Sequence, residues 1–441
     1  MTTYSIAANH LKIISKYAVF RKLCMKRRVP VIGTKLGATN IPRIRRTMPS
    51  IYREMGENYF KRAYRMSYTS FRILFREIKQ VLYEKLYKTE GKQGPSGRIP
   101  LASRLGIGLR YFAGGDPYDI SISYGVSHTS VFDTVDAVVD AVNEHDNFKI
   151  MFPSDHDEQR RIAAEFQAKS KVGFSCCAGA IDGMLVWIHK PTKAECEKAK
   201  VDERKWFCSR KNKYGLNLQA ICDSRKRFLD LSILFGGSSS DLISFESSPI
   251  RQKLEEPGFL ADGLCLFGDN AYVNTDFMAT PYTKSHREFC KLHDNYNFFH
   301  SQLRINIECA FGILCQRWGF LRKPAPKKYT IKKIIAFVSC LCRLHNFLIN
   351  KNEMYSSSTL PPTPRDAYYL SCEGEVDMSE REDGDPLVPR DLSGGGEHFD
   401  DDTMRMRRST VPSDMLPREQ LMIDVSDSGF VRPKVRRRDG T

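Results

Sequence analysis

An aspartate in the middle of an apolar, strand-like run constrains this chain more than any other feature. Asp182 lies within Gly179-Ala180-Ile181-Asp182-Gly183, inside the β-rich run from Ala178 to Ile188. An unpaired carboxylate is costly to bury there, so the fold must bring it a cation or a donor. Asp269 follows Cys265-Leu266-Phe267-Gly268 at the end of another apolar run, and Glu308 falls on a helical stretch between Ile307 and Phe311. Carboxylates on the core-facing edges of two strands and a helix repel one another, and their convergence makes sense only around a divalent cation. Two-metal phosphoryl transfer asks for such a set: hard oxygen ligands holding ions ~3.5–4 Å apart, one activating the attacking oxygen and one stabilising the leaving oxygen. Taken singly, each acid reads more readily as a capped turn or an ion pair. The joint arrangement carries the chemical reading.

The order of elements predicts an α/β domain. Ala178 to Ile188, Gly215 to Cys222, Phe228 to Phe235 and Leu264 to Phe267 read as strands, with 223–227 a hairpin loop. Helical spacing returns at Arg304 to Trp318 and at Ile331 to Ile349. Ahead of the strands come short helices: Leu101 to Phe112, a break at Gly114-Gly115-Asp116-Pro117, a helix through Ile120 and Ile122, and a turn at Gly125-Val126. Ser127 can cap the next helix, where Val131, Val135, Val138 and Val142 form an apolar stripe. That is the outline of a helix-turn-helix, with Ser127, His128, Thr129 and Ser130 as candidate DNA contacts. An ordinary helical hairpin has the same outline, and spacing does not choose between them. The expected organisation is a basic helical lead-in over 1–97, the helix-turn-helix-like region over 98–150, the strand-bearing domain over 151–350, and a Ser-, Pro- and Gly-rich tail over 351–441 with little fixed structure.

Sixty-eight Lys and Arg against 52 Asp and Glu leave a net charge of +16, a field that attracts polyanions. Thirteen cysteines without a Cys-x-x-Cys pair point to reduced thiols in an intracellular compartment. The longest apolar stretch, Ile334 to Cys342, is shorter than the ~20 residues that a helix needs to cross a bilayer, so no membrane partner is expected. The acid-free N-terminus reads either as an organelle transit peptide or as a basic arm in which Lys26-Arg27-Arg28, Arg43, Arg45 and Arg46 neutralise phosphates. The tail ends on Arg432-Pro433-Lys434 and Arg436-Arg437-Arg438, a nuclear import signal or a solvated run of charge.

Six motifs in order carry a family resemblance: Gly179 to Gly183, Tyr214 to Ala220, Gly237 to Asp241, Phe267 to Tyr272, Arg304 to Gly312, and Leu344-His345-Asn346-Phe347. Together they resemble the catalytic domain of PIF/Harbinger transposases and their domesticated relatives, over about residues 98 to 350. The resemblance implies a ribonuclease H-like mixed sheet with flanking helices, with Asp182, Asp269 and Glu308 as its catalytic acids and Asp241 as a further metal-associated acid. It also implies cutting and joining of DNA with Mg²⁺ or Mn²⁺ in the nucleus, usually beside a separate Myb-like DNA-binding partner. Family members commonly carry a histidine two residues after the Asp-Gly pair and another just before the acid matching Asp241. Here those positions are Leu185 and Ser240.

Arg304 and Lys291 are candidates for contacts to scissile-strand phosphates, or else ordinary surface charges. His286, Cys290 and His293 have helical spacing but no evident fourth zinc ligand. Trp318 reads as core and His345 as a hydrogen-bonded packing residue. Two functions remain open on these residues: a metal-dependent DNA endonuclease, or a DNA-binding regulator with a silent nuclease.

Overall fold

The computed structural model describes residues 44–87, 97–283, 290–353 and 416–433. The basic run at Lys26-Arg27-Arg28, His286 and most of the tail beyond Lys351 lie outside the described residues.

Two long strands form the centre because their residues alternate or persist as apolar. β1 (Cys177–Trp187) pairs antiparallel with β3 (Lys213–Cys222), and β3 pairs antiparallel with β4 (Phe228–Gly236). The short β2 (Phe207–Cys208) joins the first two residues of β3. On its other side β1 meets β5 (Cys265–Phe267) in parallel, and β5 meets β6 (Met278–Ala279) in parallel. The result is a mixed six-stranded sheet with β1 at its centre.

The helices follow from capping residues and apolar stripes. In chain order they are α1 (Met48–Tyr64), α2 (Tyr68–Tyr87), α3 (Leu101–Phe112), α4 (Pro117–Tyr124), α5 (His128–Glu144), α6 (His156–Gln167), α7 (Lys193–Ala199), α8 (Asp241–Glu246), α9 (Pro249–Leu254), α10 (Lys291–Arg317), α11 (Ile331–Asn350) and α12 (Pro417–Asp427). Asp116 caps α4 and Ser127 caps α5 by accepting bonds from backbone N–H groups in the first turn. Between them Gly125 ends α4 at φ 62, and a Cβ there would fall 2.1 Å from the Ile44 carbonyl oxygen, so glycine is required twice over. Val131, Val135, Val138 and Val142 are fully buried, worth about 1.5–3 kcal/mol each. α5 also meets α11, where Asn143 donates to the Ala336 carbonyl at 2.8 Å and Lys333 pairs with Asp136. The helices before the sheet and the helices behind it thus share one continuous core. α11 is long and apolar enough by composition to cross a membrane, yet most of it is buried within the protein.

Two expectations need correction. The helix expected from Arg304 begins at Lys291, because Asn295, Tyr296, Phe299, His300 and Leu303 bury a continuous stripe that is too polar to read as apolar spacing. The region after Lys351, expected to lack structure, contains α12. Leu421 and Val425 are buried, Arg418 lies over the Tyr282 ring at 4.3 Å, and Arg432 pairs with Asp294 on α10. Two apolar anchors and two arginines are enough to dock a helix that composition alone assigns to a loose tail.

The hairpin between β3 and β4 is held from both sides. Asp223 accepts from the N–H groups of Arg225 and Arg227 and pairs with the Arg227 guanidinium at 2.6 Å. Asn346 on α11 accepts from Phe228 N–H at 2.8 Å and donates to the Phe228 carbonyl at 2.7 Å. Asn346→Ala leaves both backbone groups unpaired and is expected to cost about 1–3 kcal/mol. Urea unfolding with an unchanged midpoint would contradict this account of how β4 is fastened to α11.

Candidate active site

Strand register brings the first two acids together. Ala180 on β1 is paired in parallel with Phe267 on β5, and Asp182 and Asp269 each follow by two residues. They therefore lie two residues beyond one paired position on adjacent strands, Asp182 within β1 and Asp269 in the turn after β5. Asp182 accepts from Gly183 N–H at 2.7 Å, and Asp269 from Ala271 N–H at 2.9 Å in the turn after β5.

The third acid arrives on α10. His300 stacks on Phe267 at 4.7 Å and bonds the Ala279 carbonyl at 3.0 Å, which seats the helix over the ends of β5 and β6. One turn further is Arg304, and one turn beyond that is Glu308. The Nη1 of Arg304 lies 2.6 Å from Glu308 Oε1 and 3.9 Å from Asp182 Oδ2. Both Arg304 and Glu308 are buried.

Asp241 opens α8 after its cap Ser240. Its Oδ1 accepts from Asn217 Nδ2 at 3.1 Å and Gln219 Nε2 at 2.8 Å, and Gln219 Oε1 accepts from the Tyr272 hydroxyl at 2.6 Å. Gln219 faces Gly183 across the β1–β3 ladder. A Cβ on Gly183 would lie 2.0 Å from Asp241 Oδ1, so only glycine after Asp182 lets the fourth acid approach. Sequence reasoning gives Asn217, Gln219 and Tyr272 no role. The available signal is two buried amides at i and i+2 in an otherwise apolar strand, which must share a partner on one face.

The electrostatics follow from this crowding. Burial pushes the Asp182 carboxyl up to about 7; the Arg304 cation opposes that rise, and the Asp269 and Glu308 charges add to it. Burial likewise raises Asp269, against the Ala271 N–H and Arg304, with Asp241 and Glu308 contributing to the rise. Tyr272 is held far above its ordinary range by burial and then by the three aspartates around it. Burial disfavours the Arg304 cation, but Glu308, Asp182 and Asp269 outweigh it and hold the guanidinium charged.

The remaining sequence candidates separate. Arg304, expected at the DNA backbone, is instead buried against Glu308. Lys291 is exposed at the start of α10, seventeen residues before Glu308, or about 25 Å at ~1.5 Å per residue, so it does not join the acids. Ser127 and Ser130 are engaged in the α5 cap, His128 stacks on Tyr118 at 4.2 Å, and Thr129 sits beside them in the first turn. His293 stacks on Tyr282 and Trp318 is fully buried. His345 bonds the Lys226 carbonyl at 2.8 Å. Leu185 lies against Gly215 and Gly237, where a Cβ on either would collide with it, and Ser240 serves as a cap.

The donor set suits a hard divalent cation: four carboxylates and no thiolate or imidazole. Among the described residues, no three Asp, Glu, His or Cys groups already close on a metal ion, and Arg304 holds Glu308.

Residues 181–346 match the family model described as DDE superfamily endonuclease, a span that begins one residue before Asp182 and contains all four acids and Arg304. Over this segment the chain is similar to DDE superfamily endonucleases. The chain is also 26% identical over 270 residues to a protein described as "Protein ALP1-like" from Arabidopsis thaliana. That match covers 58% of this chain and 62% of the relative, so the chain spans less than two thirds of the relative's length. No solved structure matches. The transposase-type resemblance read from the motifs is supported over residues 181–346, and the mixed α/β sheet with flanking helices is consistent with that family.

The acid cluster leads to two expected outcomes, both for protein in EDTA. Removing Arg304 while leaving its partners charged should cost about 3–5 kcal/mol in Arg304→Gln. Adding Glu308→Gln should restore part of that loss, as a double-mutant unfolding cycle would read. Strictly additive losses would deny the pair its role. For Asp182, a folded-state value of about 7 above the ordinary 3.8 means that the folded protein holds a proton that the unfolded chain has released. Wild-type stability should therefore fall as pH rises from about 4 to about 7, by on the order of 2–4 kcal/mol, and Asp182→Asn should lack that fall. Parallel melting curves for the two proteins across this range would contradict it.

Proposed function

We propose that this protein is a divalent-metal-dependent DNA endonuclease of the transposase type, built on a ribonuclease H-like sheet. The observation that supports the reading is that Asp182 and Glu308 lie against one buried guanidinium, with the Asp269 charge acting on all three and Asp241 acting on Asp269. The parallel β1–β5 pair beside an antiparallel β1–β3–β4 arrangement supports the same fold.

Asp182, Asp269 and Glu308 would hold Mg²⁺ or Mn²⁺, with Asp241 beside them. Bound there, the metal supplies Lewis-acid polarisation of a phosphoryl oxygen and acidifies water or a 3′-hydroxyl for in-line attack. The protein's own residues set the stage. The Gly183 amide fixes the Asp182 carboxylate, and the Tyr272–Gln219–Asp241 chain holds the fourth acid in one orientation. Arg304 gives Glu308 a partner while the acids face one another. Preorganisation of this kind removes the cost of gathering like charges during the reaction. In this reading the protein acts in the nucleus, and a Myb-like protein supplies site recognition.

A second reading, a DNA-binding regulator with a silent nuclease, is favoured by one observation: the Glu308 carboxylate is held by Arg304 rather than turned to a shared metal point. Supercoiled plasmid separates the two. Wild-type protein with Mn²⁺ is expected to nick it, EDTA to stop nicking, and Asp182→Asn or Glu308→Gln to slow it by roughly a hundredfold or more. A plasmid that is bound but never nicked supports the regulator instead.

A further inference from the structure

Four carboxylates repel a phosphodiester, so the hold on DNA must come from basic surface beside them. The α4–α5 pair is poorly made for this: residues 116–133 contain Asp116, Asp119 and Asp133 and no Lys or Arg. The segment 189–213 is the opposite. It carries nine Lys and Arg against four acids, a local charge of +5, and all nine basic residues are exposed.

Three of its four acids have structural duties. Glu195 closes the capping box of α7, Asp202 caps the turn at Glu203–Trp206, and Glu203 pairs with Lys190 at 2.7 Å while accepting from the Tyr214 hydroxyl. The basic side chains of Lys198, Lys200, Arg204, Lys205 and Arg210 therefore carry the segment's outward charge, and Lys213 lies over the Trp187 ring at 3.1 Å. The segment is also fastened to the rim of the acid site. The Lys205 carbonyl accepts from Ser238 N–H at 3.2 Å and from the Ser238 hydroxyl at 2.9 Å, and Ser238 precedes Asp241 by three residues. Glycine at 236 permits this contact, since a Cβ there would meet the Lys205 oxygen at 2.2 Å.

We propose that residues 189–213 form a basic arm that grips the duplex DNA backbone at the edge of the acid site, and that this arm, rather than the α4–α5 turn, supplies most of the non-specific affinity. The proposal rests on DNA being the substrate, but not on cleavage. Between the Lys205 anchor and β3 the chain is itself paired to the sheet, with Phe207 opposite Tyr214 and Cys208 opposite Lys213. Phosphates on the arm are thereby held at a fixed offset from the acids.

The test is fluorescence anisotropy of the full chain with a short labelled duplex over a range of salt concentrations. Replacing Arg204, Lys205, Arg210 and Lys213 together by Gln is expected to weaken binding at least tenfold and to lower the salt slope by about 3 to 4, at roughly 0.9 for each phosphate no longer neutralised. Lys328 lies over the Phe132 ring of α5, so Lys327→Gln/Lys328→Gln probes the basic surface beside the α4–α5 pair. That variant should change binding by less than about twofold. The charge-keeping set Arg204→Lys/Arg210→Lys should bind like wild type, which separates loss of charge from loss of folding. An arm variant with the wild-type slope, a larger drop in the Lys327/Lys328 variant, or a wild-type chain that binds no duplex would each overturn the arm. Binding that depends on the arm without any metal-dependent nicking would instead sink the nuclease reading and leave the arm standing.

Discussion

The structure turns on one guanidinium. Arg304 is buried between Glu308 and Asp182, and without it the strand and helix acids would meet as unscreened like charges in a low-dielectric setting. A lysine would carry the same charge but not the planar fork that presents several donors to carboxylates at once. The i, i+4 spacing matters as much as the charge. It puts Arg304 and Glu308 on one face of α10, so that ion pair is local to the helix and the sheet adds Asp182.

The sheet then decides which acids reach that guanidinium. Asp182 and Asp269 come near each other because β1 and β5 run parallel in a register fixed by Ala180 and Phe267, two residues before each acid. A slip of one residue would turn Asp182 to the opposite face and bring Ile181 into its place. Asp241 is positioned by a different device, a hydrogen-bond chain through Gln219 to Tyr272. That chain crosses from β3 to the loop after β5, so it ties the antiparallel half of the sheet to the parallel half at the level of the acids.

Much of this is legible in the chain and some is not, for reasons that can be named. Asp182, Asp269 and Glu308 stand out because a carboxylate in an apolar run is a local anomaly, and local anomalies survive in one dimension. The strands at 178–188, 215–222 and 228–235 are legible from β-rich composition bounded by turn residues. Arg304 reads wrongly as a surface charge, since nothing in its neighbours distinguishes a buried arginine from an exposed one; its burial is decided by strands far away in sequence. The start of α10 is hidden because its buried stripe includes Asn295 and His300, polar residues satisfied only by tertiary partners. α12 is hidden because two buried side chains in a polar stretch give no periodic signal, and the surface it covers is contributed by α10 and β6.

One positive charge does not balance the acids gathered around it. The shortfall shows in Asp182, where a proton is retained to about neutral pH because burial disfavours a further negative charge. Proton and cation are therefore alternative answers to the same electrostatic deficit, and each lowers the demand for the other. A site that already had enough internal positive charge would keep its carboxylates at ordinary values and gain little from a metal. Here a single buried guanidinium faces several buried carboxylates, an imbalance that a bound cation would reduce.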